Sequence, residues 1–187
     1  MSIKSIIAKY ESLLKEDKYE ELFNKCSPDE RRELINLMYN KAGIDPLESM
    51  TTIPRGLFES TDVSIVVIPD NIVAIENEAF KGSSVREVYM SDAVKDIGYN
   101  VFMNCANLSK VRLSRSIEKI PNGTFLGCLS LEKIFIPDSV TLIGGNAFKN
   151  CSDNLLIVAN FRTGDDKIKF SGAEVDFFKQ HMKFKRR

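Results

Sequence analysis

The chain has 187 residues with 26 basic and 26 acidic side chains. That is enough for one domain with a small appendage, and it carries no overall charge that would draw in nucleic acid or a membrane. Hydrophobic residues at 43% and charged ones at 28% exclude wholesale disorder. No apolar run approaches the roughly 18 residues of a bilayer-spanning helix. A single histidine, His181, removes multi-histidine metal sites and most histidine-dependent catalysis.

The start, MSIKSIIAKYESLLKEDKYEE, turns acidic at Glu11 and shows no small-residue cleavage site, so it does not read as a secretion signal. The expected location is cytoplasmic, where the four cysteines stay reduced. Ile3, Ile6, Ile7, Tyr10, Leu13 and Leu14 follow the helical i, i+3, i+4, i+7 rule. A second short helix carries Tyr19, Leu22 and Phe23. A third begins with Ser27 as N-cap, Pro28 in the first turn, and Asp29 and Glu30 near the positive end of the dipole. It buries Leu34, Leu37 and Met38 and stops at Gly43. Residues 1–44 therefore read as a helical module, either a cap on the remainder of the chain or a separate partner-binding unit.

From residue 45 the sequence is periodic. Phenylalanine recurs at Phe58, Phe80, Phe102, Phe125 and Phe148, in steps of 22, 22, 23 and 23. Isoleucine precedes each by five residues: Ile53, Ile75, Ile97, Ile120 and Ile143. Two more apolar columns are Val66, Val88, Val111, Ile134, Ile157 and Ile68, Met90, Leu113, Ile136, Ala159. Cys105, Cys128 and Cys151 form another, with Ser83 in the same place one coil earlier. A coil this short cannot enclose a core, so successive copies must stack. Each coil carries one short strand of form L-x-x-L-x-L, such as Leu108/Val111/Leu113 and Leu131/Ile134/Ile136. Alternation turns those residues inward and their neighbours outward. The return limb carries the Ile and Phe columns to the centre.

The segments IPDSVTLIGGNAFKNC (Ile136 to Cys151), IPDNIVAIENEAFKG (Ile68 to Gly82) and MSDAVKDIGYNVFMNC (Met90 to Cys105) resemble the BspA-type, or treponemal-type, leucine-rich repeat. The resemblance covers residues 45–160. Together with the flanks it implies an α+β solenoid: a five-coil leucine-rich repeat with a parallel β-sheet, an N-terminal helical cap and a short C-terminal strand/helix cap. The family is known from bacterial surface proteins, protozoa and phages, and usually acts by binding other macromolecules, which implies a non-enzymatic binding role for this chain. Surface members carry an export signal, so for this chain the resemblance points to an intracellular or phage-encoded adaptor or inhibitor.

Residues 161–187 lie beyond the repeats and read as a C-terminal cap. TGDD (Thr163 to Asp166) is a turn and KIKFS a short strand. Ser171 and Glu174 suit a capping box for a helix with Val175, Phe178 and Met182 inward. The end is basic. Lys179, Lys183, Lys185, Arg186 and Arg187 read as a solvated tail or as a contact to nucleic acid or an acidic partner, although so few charges hold nucleic acid weakly at physiological salt.

Motifs for chemistry are absent. There is no phosphate-cradling glycine loop, no C-x-x-C, no expected cofactor and no expected metal. The cysteine column reads as core thiols, or as a stack available to metal or redox chemistry.

The outward sheet positions hold the candidate site. One column runs Val67, Tyr89, Arg112, Phe135, Val158, and the preceding one Ile65, Glu87, Lys110, Lys133, Leu156. Aromatic residues and arginine dominate interface hot spots. The expected partner-binding residues are Val67, Tyr89, Arg112, Phe135, Glu87, Lys110 and Lys133. Arg112 and the rings could instead pack only on one another through cation–π contact. Five strands at roughly 4.8 Å, each of about five residues, give a face of roughly 400 Å². A standard interface takes about 800 Å² per partner, so loops and caps would have to contribute. Self-association through the edge coils or the Ile65/Val67 end is the structural alternative. No membrane role is expected.

Overall fold

A computed structural model describes residues 3–15, 19–38, 46–159, 168–170 and 182–184. Among the described residues, four α-helices open the chain: α1 (Ile3–Lys9), α2 (Glu11–Lys15), α3 (Tyr19–Lys25) and α4 (Pro28–Leu37). The first expected helix is thus two, interrupted at Tyr10. α4 has the capping box in full, with the Ser27 hydroxyl accepting from the Glu30 N–H and the Glu30 carboxylate accepting from the Ser27 N–H. It buries Leu34, Ile35 and Met38. Leu37, expected inward, is only half-buried. The expected stop at Gly43 falls outside the described residues.

The repeats form two stacks of parallel strands on opposite limbs of each coil. The front strands are β2 (Ile65–Ile68), β4 (Glu87–Met90), β6 (Lys110–Arg112), β8 (Lys133–Ile136), β10 (Leu156–Ala159) and β12 (Met182–Phe184). The return strands are β1 (Thr52–Ile53), β3 (Ala74–Ile75), β5 (Asp96–Ile97), β7 (Lys119–Ile120), β9 (Leu142–Ile143) and β11 (Lys169–Phe170). From β2 to β11 the chain makes five complete turns. β11 is the strand expected within KIKFS. β12 corrects the expected C-terminal helix at Met182, which pairs with Ile157 as the next step of the front ladder. The rest of that helix, residues 171–181, lies outside the described residues.

Each ladder divides into two three-stranded sheets, β2-β4-β6 with β8-β10-β12, and β1-β3-β5 with β7-β9-β11. A proline stands at each seam. On the return side Gly98 donates to the Ile75 carbonyl at 2.8 Å and Gly144 to that of Ile120 at 2.7 Å. The intervening donor position is Pro121, which has no N–H to offer Ile97. On the front, Ser91 donates to Ile68 at 3.1 Å, whereas Pro137 stands at the corresponding place opposite Leu113. Gly144 also permits close approach, since a Cβ there would sit 2.4 Å from the Asn122 nitrogen.

The five phenylalanines are fully buried in one row. Successive ring centroids are 4.6, 5.1, 5.4 and 5.2 Å apart, and the rings are stacked. Two further columns hold left-handed backbone: Gly56, Glu78, Asn100, Gly123, Asn146, and Ser60, Gly82, Asn104, Gly127, Asn150. They bracket each phenylalanine two residues on either side and turn the chain around it. Glycine and asparagine recur there because they tolerate positive φ most readily.

The helices share the solenoid's core, which runs from Ile6 to Ala159. Arg31 ties them down, donating to the carbonyls of Phe23 (2.9 Å) and Arg55 (2.7 Å). The Asn36 side-chain carbonyl accepts from the Asp62 N–H at 2.9 Å. Within the helices Glu30 meets Lys9 at 2.8 Å and accepts from the Tyr10 hydroxyl at 3.2 Å.

This packing can be tested at a ring and at a charge. Phe102→Ala should cost roughly 3–5 kcal/mol in equilibrium urea unfolding, because it removes a middle ring and leaves a cavity; a loss below about 1 kcal/mol would mean the row is not a tight stack. The Glu30 carboxyl is held down to about 2 by its bond from Lys9 and then by the Ser27 N–H. Its ionised form therefore contributes stability above its ordinary value of 4.5, and that contribution is lost as pH falls toward 2. Glu30→Gln should melt lower than wild type at neutral pH, with the gap closing across that window. A gap independent of pH would show that the charge contributes nothing.

Candidate interaction face

The strand pleat builds the front face. In β2 and β8 burial alternates outward–inward, so Val66, Ile68, Ile134 and Ile136 enter the core while Ile65, Val67, Lys133 and Phe135 stand outside. Ladder pairing aligns the columns: Ile65 with Glu87 and Lys110, and Val67 with Tyr89 and Arg112. Across the seam, Lys133 aligns with Leu156, and Phe135 with Val158. Val158 departs from the expected outward column, being only 7% exposed. The strand β12 flanks it. The exposed face is therefore four strands wide, and its apolar side chains are largely uncovered: Val67 is 59% exposed, Phe135 52% and Ile65 50%.

The rings are met by lysines. Lys110 Nζ lies 5.0 Å from the centre of the Tyr89 ring, and Lys133 Nζ lies 4.8 Å from that of Phe135. Arg112 turns aside. Its guanidinium donates to the Met90 carbonyl and to Asp92, the latter at 3.2 Å. Tyr89 donates its hydroxyl to Glu87, and Lys110 stands 3.7 Å from the same carboxylate. The Tyr89 hydrogen bond, and then the Lys110 charge, hold the Glu87 carboxyl below its ordinary range. Tyr89 and Glu87 raise Lys110 in turn. The seven expected residues thus stand on one face, and the structure adds interactions among them that period alone does not reveal.

Asp92 was missed. It accepts from the Arg115 N–H at 3.0 Å and pairs with Arg112, and these contacts lower its carboxyl. The signal was a charged column just past the front strands: Asp70, Asp92, Arg115, Asp138. Of the basic C-terminal residues, Lys179, Lys185, Arg186 and Arg187 lie outside the described residues. Lys183 belongs to β12, in register with Val158.

The cysteine column is interior. Cys105, Cys128 and Cys151 donate their thiols to the carbonyls of Phe80, Phe102 and Phe125 in the preceding coil, at 2.9, 3.1 and 3.1 Å. Burial pushes Cys105 up to about 11 and Cys128 well above its ordinary value. Such thiols are poor nucleophiles and poor metal ligands at neutral pH. No group of three metal-ligating side chains is placed together among the described residues, nor is any helix there long and apolar enough to cross a membrane.

Parallel strands stacked once per 22–23 residues around a filled apolar interior define a leucine-rich repeat solenoid. The chain belongs to the BspA type leucine rich repeat family, six copies of which match residues 49–168. Among solved structures it is similar to a leucine rich cell surface protein from Faecalibacterium prausnitzii, at 26% identity over 67% of this chain and 36% of that one, with a TM-score of 0.54. A leucine-rich repeat protein from Bacteroides ovatus matches at 26% identity over 59% of this chain and 33% of that one, with a TM-score of 0.46. Another, from Bacteroides capillosus, matches at 26% identity over 53% of this chain and 78% of that one, with a TM-score of 0.49. The chain spans about a third of the length of the first two. No curated protein matches it.

The buried column makes a simple prediction. A thiol-specific probe at neutral pH, read by peptide mapping, should leave Cys105, Cys128 and Cys151 unlabelled until denaturant is added. Rapid labelling of the folded protein would show that the column opens.

Proposed function

We propose that this chain is a non-enzymatic protein-interaction module that recognises a partner protein through the front face. Tyr89, Arg112 and Phe135 are the central anchors, and Val67, Glu87, Lys110 and Lys133 surround them. The carrying observation is the exposure of Val67 and Phe135, at 59% and 52%, on strands whose opposite side is locked into the core. Large apolar side chains held outward on a rigid rack, with cations beside them, suit recognition better than solvation. The family's general role in protein–protein contact supports the same reading. The face alone is smaller than a standard interface, so the helices of residues 1–44 and the segment from 161 onward supply the rest. By analogy with the repeat family, the role is that of an adaptor or inhibitor.

Isologous self-association through the face is disfavoured by its own charge. A two-fold contact centred on β6 would set Lys110 and Arg112 against their own copies, and like charges across an interface cost affinity.

The test is capture on the immobilised full chain, comparing wild type with the triple variant Tyr89→Ala/Arg112→Ala/Phe135→Ala. Circular dichroism should show both folded, since all three side chains point outward. Partners retained by wild type should fall about tenfold or more on the variant, the loss of one or more hot spots. Equal retention would remove the face from consideration.

A further inference from the structure

Resting on that reading, we infer that the front face recognises an extended, acidic segment of a partner protein in which carboxylates lie between two apolar residues four positions apart. Charge complementarity carries the argument. On the four exposed front strands and the residue leading into each, four side chains are basic (Arg86, Lys110, Arg112, Lys133) and two acidic (Glu87, Glu132). Glu87 is already engaged by Tyr89 and Lys110, and Arg112 is paired with Asp92 just past β4, so the uncompensated cations are Arg86 and Lys133. Lys133 and Arg86 have no carboxylate within ion-pair distance among the described residues. The Lys133 ammonium rests over Phe135 and Arg86 on the Ser64 hydroxyl, at 2.8 Å. The middle of the face therefore offers positive charge, and it lies between apolar Val67 on one side and Phe135 on the other.

The spacing sets the register of the occupant. Val67 and Phe135 stand three strands apart, roughly 14 Å at the usual interstrand distance. An extended chain crossing the strands covers about 13 Å in four residues. One apolar side chain can then rest on Val67 and Ile65 and the next on Phe135, and the residue midway between them, which shares their side of the extended chain, faces Lys110 and Arg112. A nucleic-acid strand would match the cations but would leave Ile65, Val67 and Phe135 without an apolar partner. Four cations, moreover, hold a phosphate backbone weakly at physiological salt.

Four fluorescein-labelled probes test this by anisotropy on the full chain. They are the peptide Gly-Ser-Leu-Asp-Glu-Asp-Leu-Ser-Gly, its charge-swapped form with Lys-Arg-Lys at the centre, its apolar-free form with serine for leucine, and an oligothymidylate. The first should bind saturably and more weakly as salt rises, with the other three about tenfold weaker or worse. Lys110→Glu/Lys133→Glu should lose about tenfold in affinity for the first peptide, and Phe135→Ala should lose binding through the other half of the motif. Both variants change exposed side chains, and their folding is checked by circular dichroism. No saturable binding, equal affinity for the charge-swapped peptide or for oligothymidylate, or indifference to Lys110→Glu/Lys133→Glu would each overturn the inference. If the peptide fails while the triple alanine variant still loses captured partners, the partner chemistry is wrong and the face stands. If capture is also unchanged, the face itself is excluded.

Discussion

One phenyl ring per coil, stacked on the ring of the next coil, is the contact on which the rest of the structure depends. Neighbouring centroids lie 4.6–5.4 Å apart, close to the roughly 4.8 Å between adjacent strands. Offset stacked rings favour the same range. Aromatic packing and the backbone ladder therefore share one period, and neither has to strain to satisfy the other. The N–H of each phenylalanine from Phe58 to Phe125 donates to a carbonyl of the following coil at 2.7–2.9 Å, which pins backbone and ring together. A coil that loses its ring would leave a gap that its neighbours, held by their own ladders, could not easily close.

The turns that carry the rings obey a stricter chemistry than the core does. Left-handed backbone recurs two residues before and two after every phenylalanine, so the short segment around the ring is a fixed bracket. Between the brackets the chain tolerates change. The step lengthens from 22 to 23 residues between Cys105 and Leu108, where Ala106 and Asn107 replace the single Ser84 of the preceding coil. The thiol column still meets the phenylalanine carbonyls on both sides of this step. The buried thiols of Cys105, Cys128 and Cys151 reach the preceding coil, Ser83 meets Cys105 in the following one, and the two seams fall where prolines interrupt the bonding between coils.

What was legible in the sequence was what repeats. The phenylalanine row, the front strands, the capping box at Ser27 and Glu30, and the outward position of Phe135 all come from period or from local rules. The return ladder was less visible, because two-residue strands such as Ala74–Ile75 leave no alternation to read. Burial of Val158, the strand at Met182, and the proline seams depend on which coil lies beside which. The partners of Arg112 were unreadable for the same reason. Spacing places Arg112 next to Tyr89, but the positions of Asp92 and the Met90 carbonyl decide where its guanidinium turns.

Because the inward positions are fixed by stacking and the outward ones are not, the fold and the proposed recognition surface can vary independently on one chain. That separates what the repeat family establishes, the scaffold, from what this particular face contributes. As the proposed interface, a face this small cannot rely on area and needs efficient contacts. Lys110 and Lys133 suggest how. Each ammonium is held over a ring on its own strand or the adjacent one, which restrains the most mobile of charged side chains before any partner arrives. Less conformational freedom is then lost on association, and the rigid ladder beneath supplies the same restraint to the backbone.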